Sequence, residues 1–300
     1  MAGRWRINGL VCIGKAMIEL KRHSAAVLEL RIPYTSTIKA FDFFLASDIH
    51  LDNPKCNRKL LAKHLDEAAA KKAPALFFGD VMCLMQGRSD KRSNKNSIRP
   101  EHMGDNYFDL VFNETANWFS NWKDTIVMMS DGNHETSILT HNEIDPLENV
   151  TRLMREQGSK VQHMAYQGFI WFTFIQRNPD GTTGKTRRTT LAFHHGAWSG
   201  ASKSTGQKYF NIFPQAQIVV NGHNHERSII SHPAYNISAN GTQTISHRLA
   251  LQSGTYKEEF KGGSGFAVEK IVMPKSLGGL WLRLRPRDST GVEITCELAT

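Results

Sequence analysis

The chain has 300 residues, four cysteines, and 37 Lys and Arg against 28 Asp and Glu, a formal charge of +9. That length holds one large domain or two small ones, with a sizeable core. Cys12, Cys56, Cys83 and Cys296 are scattered with no CxxC pair, which excludes a zinc knuckle or a disulfide framework, and no stretch reaches the ~18 apolar residues of a membrane span.

The positive excess favours an anionic partner and says nothing about fold. Free thiols are the expected state of the cysteines. The basic N terminus has no uninterrupted apolar core or small-residue cleavage site, so a cytoplasmic location is expected. Residues 1–38 read as a separate segment, a short helix and strand or an adapter arm, ahead of one domain over 39–300.

From Lys39 the pattern sharpens. "KAFDFFLASD" and "APALFFGD" are short apolar runs that read as buried strands. "NRKLLAKHLDEAAAKK" places Leu60, Leu61, His64, Leu65 and Ala68 on one helical face. "NYFDLVFNETANWFSNW" has helical spacing, and "DTIVMMSDGN" is a third apolar strand. Strand, helix, strand, helix, strand implies right-handed crossovers and a parallel sheet. "DPLENVTRLMREQG" reads as a helix with Asp145 at its N-cap and Pro146 in its first turn.

The texture then changes. "GFIWFTFIQR" and "RRTTLAFHH" read as strands joined by a turn-rich loop, and "AQIVVNGH" as another strand. "ISHRLALQSGTY", "SGFAVEKIVM" and "GGLWLRLRP" read as further antiparallel strands. An α/β sandwich satisfies both halves: two packed mixed sheets with helices outside, in four layers.

Each of five core strands ends in the same chemistry. The first ends in Asp48 and His50, the second in Asp80, the third in Asn133 and His134. The fourth ends in His194 and His195, and the fifth in His223 and His225. In an open α/β sheet such ends lie together. One Asp is usually a helix cap and one His a solvated polar group, but five endings of one kind exceed the needs of caps. They also exceed the needs of one ion, and they suit two hard or borderline divalent ions. In "VVNGHNHERS" alternate side chains diverge, so His223 and His225 can each serve a different ion. Gly222 is expected to permit a sharp turn there.

The ordered set D-x-H, G-D, G-N-H-E, H and G-H-x-H, running from Asp48 to His225, resembles the calcineurin-like metallophosphoesterase superfamily. The stretch from "DVMCLMQG" through "RPEHMGDNYFD" is also similar to a subgroup from phage and mobile-element genomes. The resemblance implies that Asp48, His50 and His225 bind a first metal, that Asp80 bridges, and that Asn133, His223 and one histidine of the 194/195 pair bind the second. His194 is favoured because it ends the strand directly, which leaves His195 to face the substrate. His134 is implied beside the phosphate as acid or charge stabiliser, giving His134 and Asp80 the catalytic roles. The cofactors implied are two divalent ions, Mn, Fe or Zn. Such a pair can hold a bridging water that attacks phosphorus in line as hydroxide.

"MQGRSDKRSNKNSIRP" follows Asp80 and is strongly basic. As a solvated loop it does nothing specific; as a rim, Arg88 and Arg92 would bind phosphates flanking the scissile one, helped by Lys203 and Lys208. A nucleotide or nucleic-acid phosphodiester is therefore the expected substrate. A phosphomonoesterase or protein phosphatase, a non-catalytic nucleic-acid-binding scaffold and a zinc-stabilised structural module are the alternatives. Trp198, Tyr209 and Tyr256 are candidates for stacking bases, although packing is the commoner use of such residues. "PDGTTGKT" lacks the first glycine of a P-loop, and His163, like His64, is left without a ligand role.

Overall fold

The computed structural model describes residues 8–13, 16–35, 40–84, 98–196, 203–238, 240–260, 266–269, 271, 273–287 and 291–300. Two sheets lie face to face. The smaller begins with the expected alternation of strands and helices: β4 (Phe41–Ala46), α1 (Arg58–Lys71), β5 (Ala75–Phe78), α2 (Tyr107–Phe119) and β6 (Ile126–Ser130). These strands pair parallel, and β7 (Gln162–Met164) extends them. β13 (Leu280–Arg287) and β14 (Gly291–Leu298) close the other edge antiparallel, for an order β14-β13-β4-β5-β6-β7.

Strand periodicity explains the layering. Phe43, Leu45, Leu76 and Phe78 face the second sheet. Their neighbours Phe44, Ala46, Ala75 and Phe77 face α1, α2 and α4 (Pro146–Glu156), meeting Leu61, Leu65, Val111, Phe112, Val150 and Met154. Burial on both faces is why these strands read as continuous apolar runs. In α4, Asp145 caps as expected, accepting from Glu148 N at 2.9 Å, with Pro146 at the first helical position.

The larger sheet has the order β1-β2-β3-β8-β9-β10-β12-β11. It is built from β1 (Asn8–Ile13), β2 (Ala16–Ser24), β3 (Val27–Tyr34), β8 (Gln167–Arg177), β9 (Thr183–His194), β10 (Ile218–Asn221), β11 (Arg227–Ile237) and β12 (Gln243–Ser253). Phe172, Phe174, Leu191, Phe193, Val220 and Leu251 fill the space between the sheets. On the outer face, Ala192, Val219 and Ala250 receive Tyr209 and Phe210 of α5 (Lys203–Ile212). The result is the expected four-layer sandwich.

Two expectations change. The N-terminal segment is no separate arm: β3 runs parallel to β8 over Val27–Tyr34, and Ile18, Leu20, Leu28, Leu30 and Ile32 enter the inter-sheet core. The signal was the period-two alternation in "MIELK" and "VLELRI". The strand expected over "SGFAVEKIVM" is, among its described residues, one helical turn, α6 (Phe266–Glu269). A short apolar run does not separate strand from helix by periodicity alone.

His163 on β7 ties the sheet edge to α4. Its Nε2 lies 2.8 Å from Asp131 Oδ1 and its Nδ1 3.2 Å from Glu148 Oε2. Burial disfavours the imidazolium, but the two carboxylates outweigh it and raise the group to about 9. A raised histidine contributes its full stability below its unfolded pKa and loses it as pH rises through the folded one. Urea unfolding should therefore show the protein losing stability between pH 6.5 and 9. His163→Gln should lose about 2 kcal/mol less over that window, a figure discounted for the half-exposed Glu148. Equal slopes would refute the pairing.

Candidate metal centre

The residues expected at the strand ends converge at the carboxyl ends of β4, β5, β6, β9 and β10. The backbone there is unusual. Asp48 (φ 50°), His50 (φ 50°), Asp80 (φ 52°), His223 (φ 74°) and His225 (φ 59°) all occupy the left-handed region, which non-glycine residues seldom adopt. Such conformations persist where surrounding contacts over-determine them. Asp48 N donates to Gly79 O at 3.1 Å and His50 N to Asp80 O at 3.0 Å. Asp48 O accepts from Thr255 Oγ1 at 2.8 Å and Tyr256 N at 3.1 Å. Asp48 Oδ2 accepts from Ser47 Oγ and, at 3.0 Å, from His223 N.

A buried carboxylate missed in the sequence, Glu135, straps two of these ends. It accepts from Gly132 N (2.9 Å), Asp80 N (3.1 Å) and Met82 N (3.0 Å). Asp52, also buried, holds the chain after β5 by accepting from Cys83 N at 2.5 Å and Leu84 N at 2.9 Å. Gly222 serves a different need from the one expected. Its φ is not positive; it lets the end of β10 press against the end of β4, where a Cβ would sit 2.5 Å from Asp48 Oδ2.

Two donor sets meet at Asp48. In the first, His225 Nε2 lies 3.4 Å from Asp48 Oδ1 and 3.2 Å from His50 Nε2. Burial, then the nearby His134, hold the His50 imidazolium well below the usual histidine range, so His50 is a neutral nitrogen donor. In the second, His195 Nε2 lies 3.2 Å from Asp80 Oδ2 and 3.1 Å from Asn133 Oδ1, and His223 Nδ1 lies 2.8 Å from the same Asn133 oxygen. His195 Nδ1 is 2.8 Å from Phe78 O, which fixes the ring with Nε2 facing inward. His195 is also within 4.0 Å of Asp48 Oδ1, so the sets are contiguous.

The donor chemistry fits divalent metal. Carboxylate and amide oxygens with imidazole nitrogens turn inward, and opposed His50 and His225 nitrogens have no reason to meet except around a proton or a cation. The oxygens demand positive charge. Burial opposes it at His195, but Asp80 and Asp48 outweigh burial and push that ring up to about 10. Asp80 in turn is held well below the usual carboxylate range: burial works against its charge, and His195 and His134 prevail.

His134 belongs to neither set. It opens α3 (Asn133–Asn142), its N donates to Asp80 Oδ1 at 3.0 Å, and its Nδ1 lies 2.5 Å from Cys83 O. Its Nε2 is 3.8 Å from Asp80 Oδ2. It therefore stands beside the donors.

One assignment is corrected. His195, not His194, faces Asp80 and Asn133. His194 points to the opposite side, its ring 5.1 Å from Tyr166 and 6.0 Å from Tyr209. Alternation along β9 decides it: Leu191 and Phe193 face the inter-sheet core, and His195 continues that face. His195→Ala should lower Mn²⁺ affinity at least about tenfold, whereas His194→Ala should change it by less than about threefold. Calorimetric Mn²⁺ titration of both variants checks this, and the reverse ranking would restore His194.

Arg88, Arg92 and Trp198 lie outside the described residues. Arg99 is described, and its guanidinium donates to Asn53 O (2.9 Å) and Leu51 O (3.3 Å), so it braces the loop after β4. Lys208 is exposed on α5. Tyr209 packs in the outer core, and Tyr256 is wholly buried, its hydroxyl 2.8 Å from His64 Nδ1, so neither is placed to stack a base.

The family model for calcineurin-like phosphoesterases matches residues 41–227, more than half of the chain. No curated protein matches. Solved structures similar to this chain include Plasmodium GAP50, described as the anchor in the inner membrane complex, at 11% identity and TM-score 0.42 over 88% of this chain and 85% of that one. Entamoeba histolytica Vps29 complexed with zinc matches at 9% identity and TM-score 0.33, over 86% and 98% of the two chains. A phosphoesterase-like protein of Streptococcus pneumoniae matches at 10% identity and TM-score 0.31, over 87% and 100%. At these scores the superpositions add nothing to the fold described above.

Proposed function

The chain belongs to the calcineurin-like phosphoesterase family, and from that premise we propose that it is a dinuclear metal-dependent phosphodiesterase acting on a nucleotide or nucleic acid. The observation that supports this reading is a pair of largely buried N/O donor groups, Asp48–His50–His225 and Asp48–Asp80–His195, that meet at Asp48.

Asp48, His50, Asp80 and His225 would hold one ion, and Asp80, Asn133, His195 and His223 the other. Ions bound there supply Lewis acidity and a water acidified toward neutral pH. The chain's own groups do the rest. Cys83 O accepts a hydrogen bond from the His134 Nδ1–H, which leaves Nε2 to exchange a proton at the leaving-group oxygen. Glu135 and Gly132 hold Asp80 and Asn133 in register, so no reorganisation is needed as charge builds on the phosphoryl oxygens. A cysteine nucleophile is not part of this scheme: burial pushes the Cys83 thiol up to about 12, leaving thiolate scarce at neutral pH.

The substrate class is supported by the +9 formal charge and by the basic run that begins a few residues after Asp80. The buried free thiols Cys56 and Cys83 suit a cytoplasmic setting. Among the described residues, no helix is long and apolar enough to cross a membrane.

The test is turnover of bis-p-nitrophenyl phosphate against p-nitrophenyl phosphate with added Mn²⁺. Faster cleavage of the diester is expected. Preference for the monoester would favour a phosphomonoesterase or protein phosphatase, and bound metal without turnover would favour a scaffold.

A further inference from the structure

β11 is an edge strand of the larger sheet and pairs antiparallel with β12 over Arg227–Ile237. Its side chains alternate between two faces. One face starts in the inter-sheet core, where Ile229 packs beside its cross-strand partner Leu251, with Leu249 next along β12. Further out the same face carries Tyr235, its partner Ile245, and Ile237. There the cover is lost: Tyr235 is 75% exposed, Ile237 79% and Ile245 57%. The opposite face meets α5 through Ile230 and His232, and turns polar beyond them, where Asn236 Nδ2 donates to Ser246 Oγ at 2.6 Å.

The sequence of this hairpin is unlike the rest of the chain. Residues 228–247 hold no Asp, Glu, Lys or Arg, although 22% of the chain is charged. Exposed edge strands ordinarily carry such charges, which keep other chains off. The turn, by contrast, is polar and closed on itself: Thr242 N donates to Ser238 Oγ at 3.1 Å, and Gly241 N to Ser238 O at 2.9 Å. A tip that enters a lipid surface needs its apolar residues at that turn, and here they lie on one side behind it. Pro233, within the strand, has no N–H to give a further strand. Packing through the face, rather than extension of the edge, is the contact this leaves.

The charge pattern selects the partner. The chain carries +9, so two copies repel each other over most of their surface. A two-fold contact brings the same patch of each copy together. A charged patch would meet its own sign there, and a patch without charged residues does not. We propose that this face is a self-association surface, on which two copies pack hairpin to hairpin about a two-fold axis and bury Tyr235, Ile237 and Ile245. β11 begins two residues after His225 and carries Tyr235 about 25 Å along the strand from Arg227, so the dimer leaves the metal centre open.

The experiment is sedimentation velocity of the full chain across a dilution series, for wild type, Tyr235→Glu, Ile245→Lys and Ile212→Lys. Wild type should sediment as a dimer at about 100 µM and separate into monomers on dilution. A charge buried without a partner should raise the dissociation constant at least about tenfold in Tyr235→Glu and in Ile245→Lys. Ile212, 54% exposed on α5, is the control, and its Lys variant should dimerise as wild type does. The hairpin positions are exposed, so melting temperatures should stay within about 3 °C of wild type. Either hairpin variant carries the test if the other fails to fold. A wild type that is monomeric at about 100 µM overturns the proposal, as does a dimer that survives both hairpin substitutions or a control that separates as readily as they do. A monomeric wild type that floats with phosphatidylglycerol vesicles overturns it in favour of a lipid surface.

Discussion

Asp80→Asn is expected to lower ester turnover about 10³-fold while leaving the fold intact. The substitution is isosteric, and an amide oxygen can still accept from His134 N, which donates to Asp80 Oδ1 at 3.0 Å. The bonds from Asp80 N to Glu135 and from His50 N to Asp80 O are backbone donors and acceptors that the change does not touch. What disappears is the negative charge that Asp80 supplies beside His195. The oxygen 3.2 Å from His195 Nε2 loses its charge or becomes an NH₂ group, and a neutral amide cannot bridge. Mn²⁺ content by mass spectrometry should fall, and the melting temperature without metal should move by no more than about 3 °C. A variant retaining a tenth of wild-type diester turnover would remove Asp80 from the centre of the mechanism.

The second large effect comes from a methyl group. In Gly222→Ala the new Cβ would collide with Ser47 Oγ and stand 2.9 Å from Ser47 Cβ and 2.5 Å from Asp48 Oδ2. The ends of β4 and β10 would have to separate, yet Gly222 N is tied to His195 O at 2.7 Å. Overpacking of this kind costs about 1–3 kcal/mol, which corresponds to a fall of roughly 5 °C in melting temperature. The functional loss should be larger than the stability loss suggests, because Asp48 and His223 are moved directly. Gly241→Ala is the control. Its φ of +81° makes alanine strained there, but nothing lies within 4 Å of the added Cβ. Melting curves and diester turnover for the pair decide the matter. Full activity in Gly222→Ala would show that the strand ends are looser than their contacts imply.

Much of the fold was legible because it follows local periodicity. The doubly buried strands β4, β5 and β6 read as apolar runs, and the helices between them read as one-sided faces. Asp145 and Pro146 marked the start of α4. The N-terminal strands were legible in the same way and were overlooked: "MIELK" and "VLELRI" alternate with period two. His195 was legible too, since "LAFHHG" puts Leu191, Phe193 and His195 on one face. Ending a strand is a weaker signal of orientation than the alternation that precedes it.

By itself, the order of residues determined which side chains arrive at the strand ends, because a strand that stops must release its next residues at one edge of the sheet. It also determined the layers, through which residues are apolar and at what period. Only the tertiary structure decided the partners: Glu135 on Asp80 N across 55 positions, Thr255 on Asp48 O across 207, and the close approach that makes Gly222 necessary. Those contacts depend on how two sheets settle against each other, and a one-dimensional pattern carries no distance between residues so far apart.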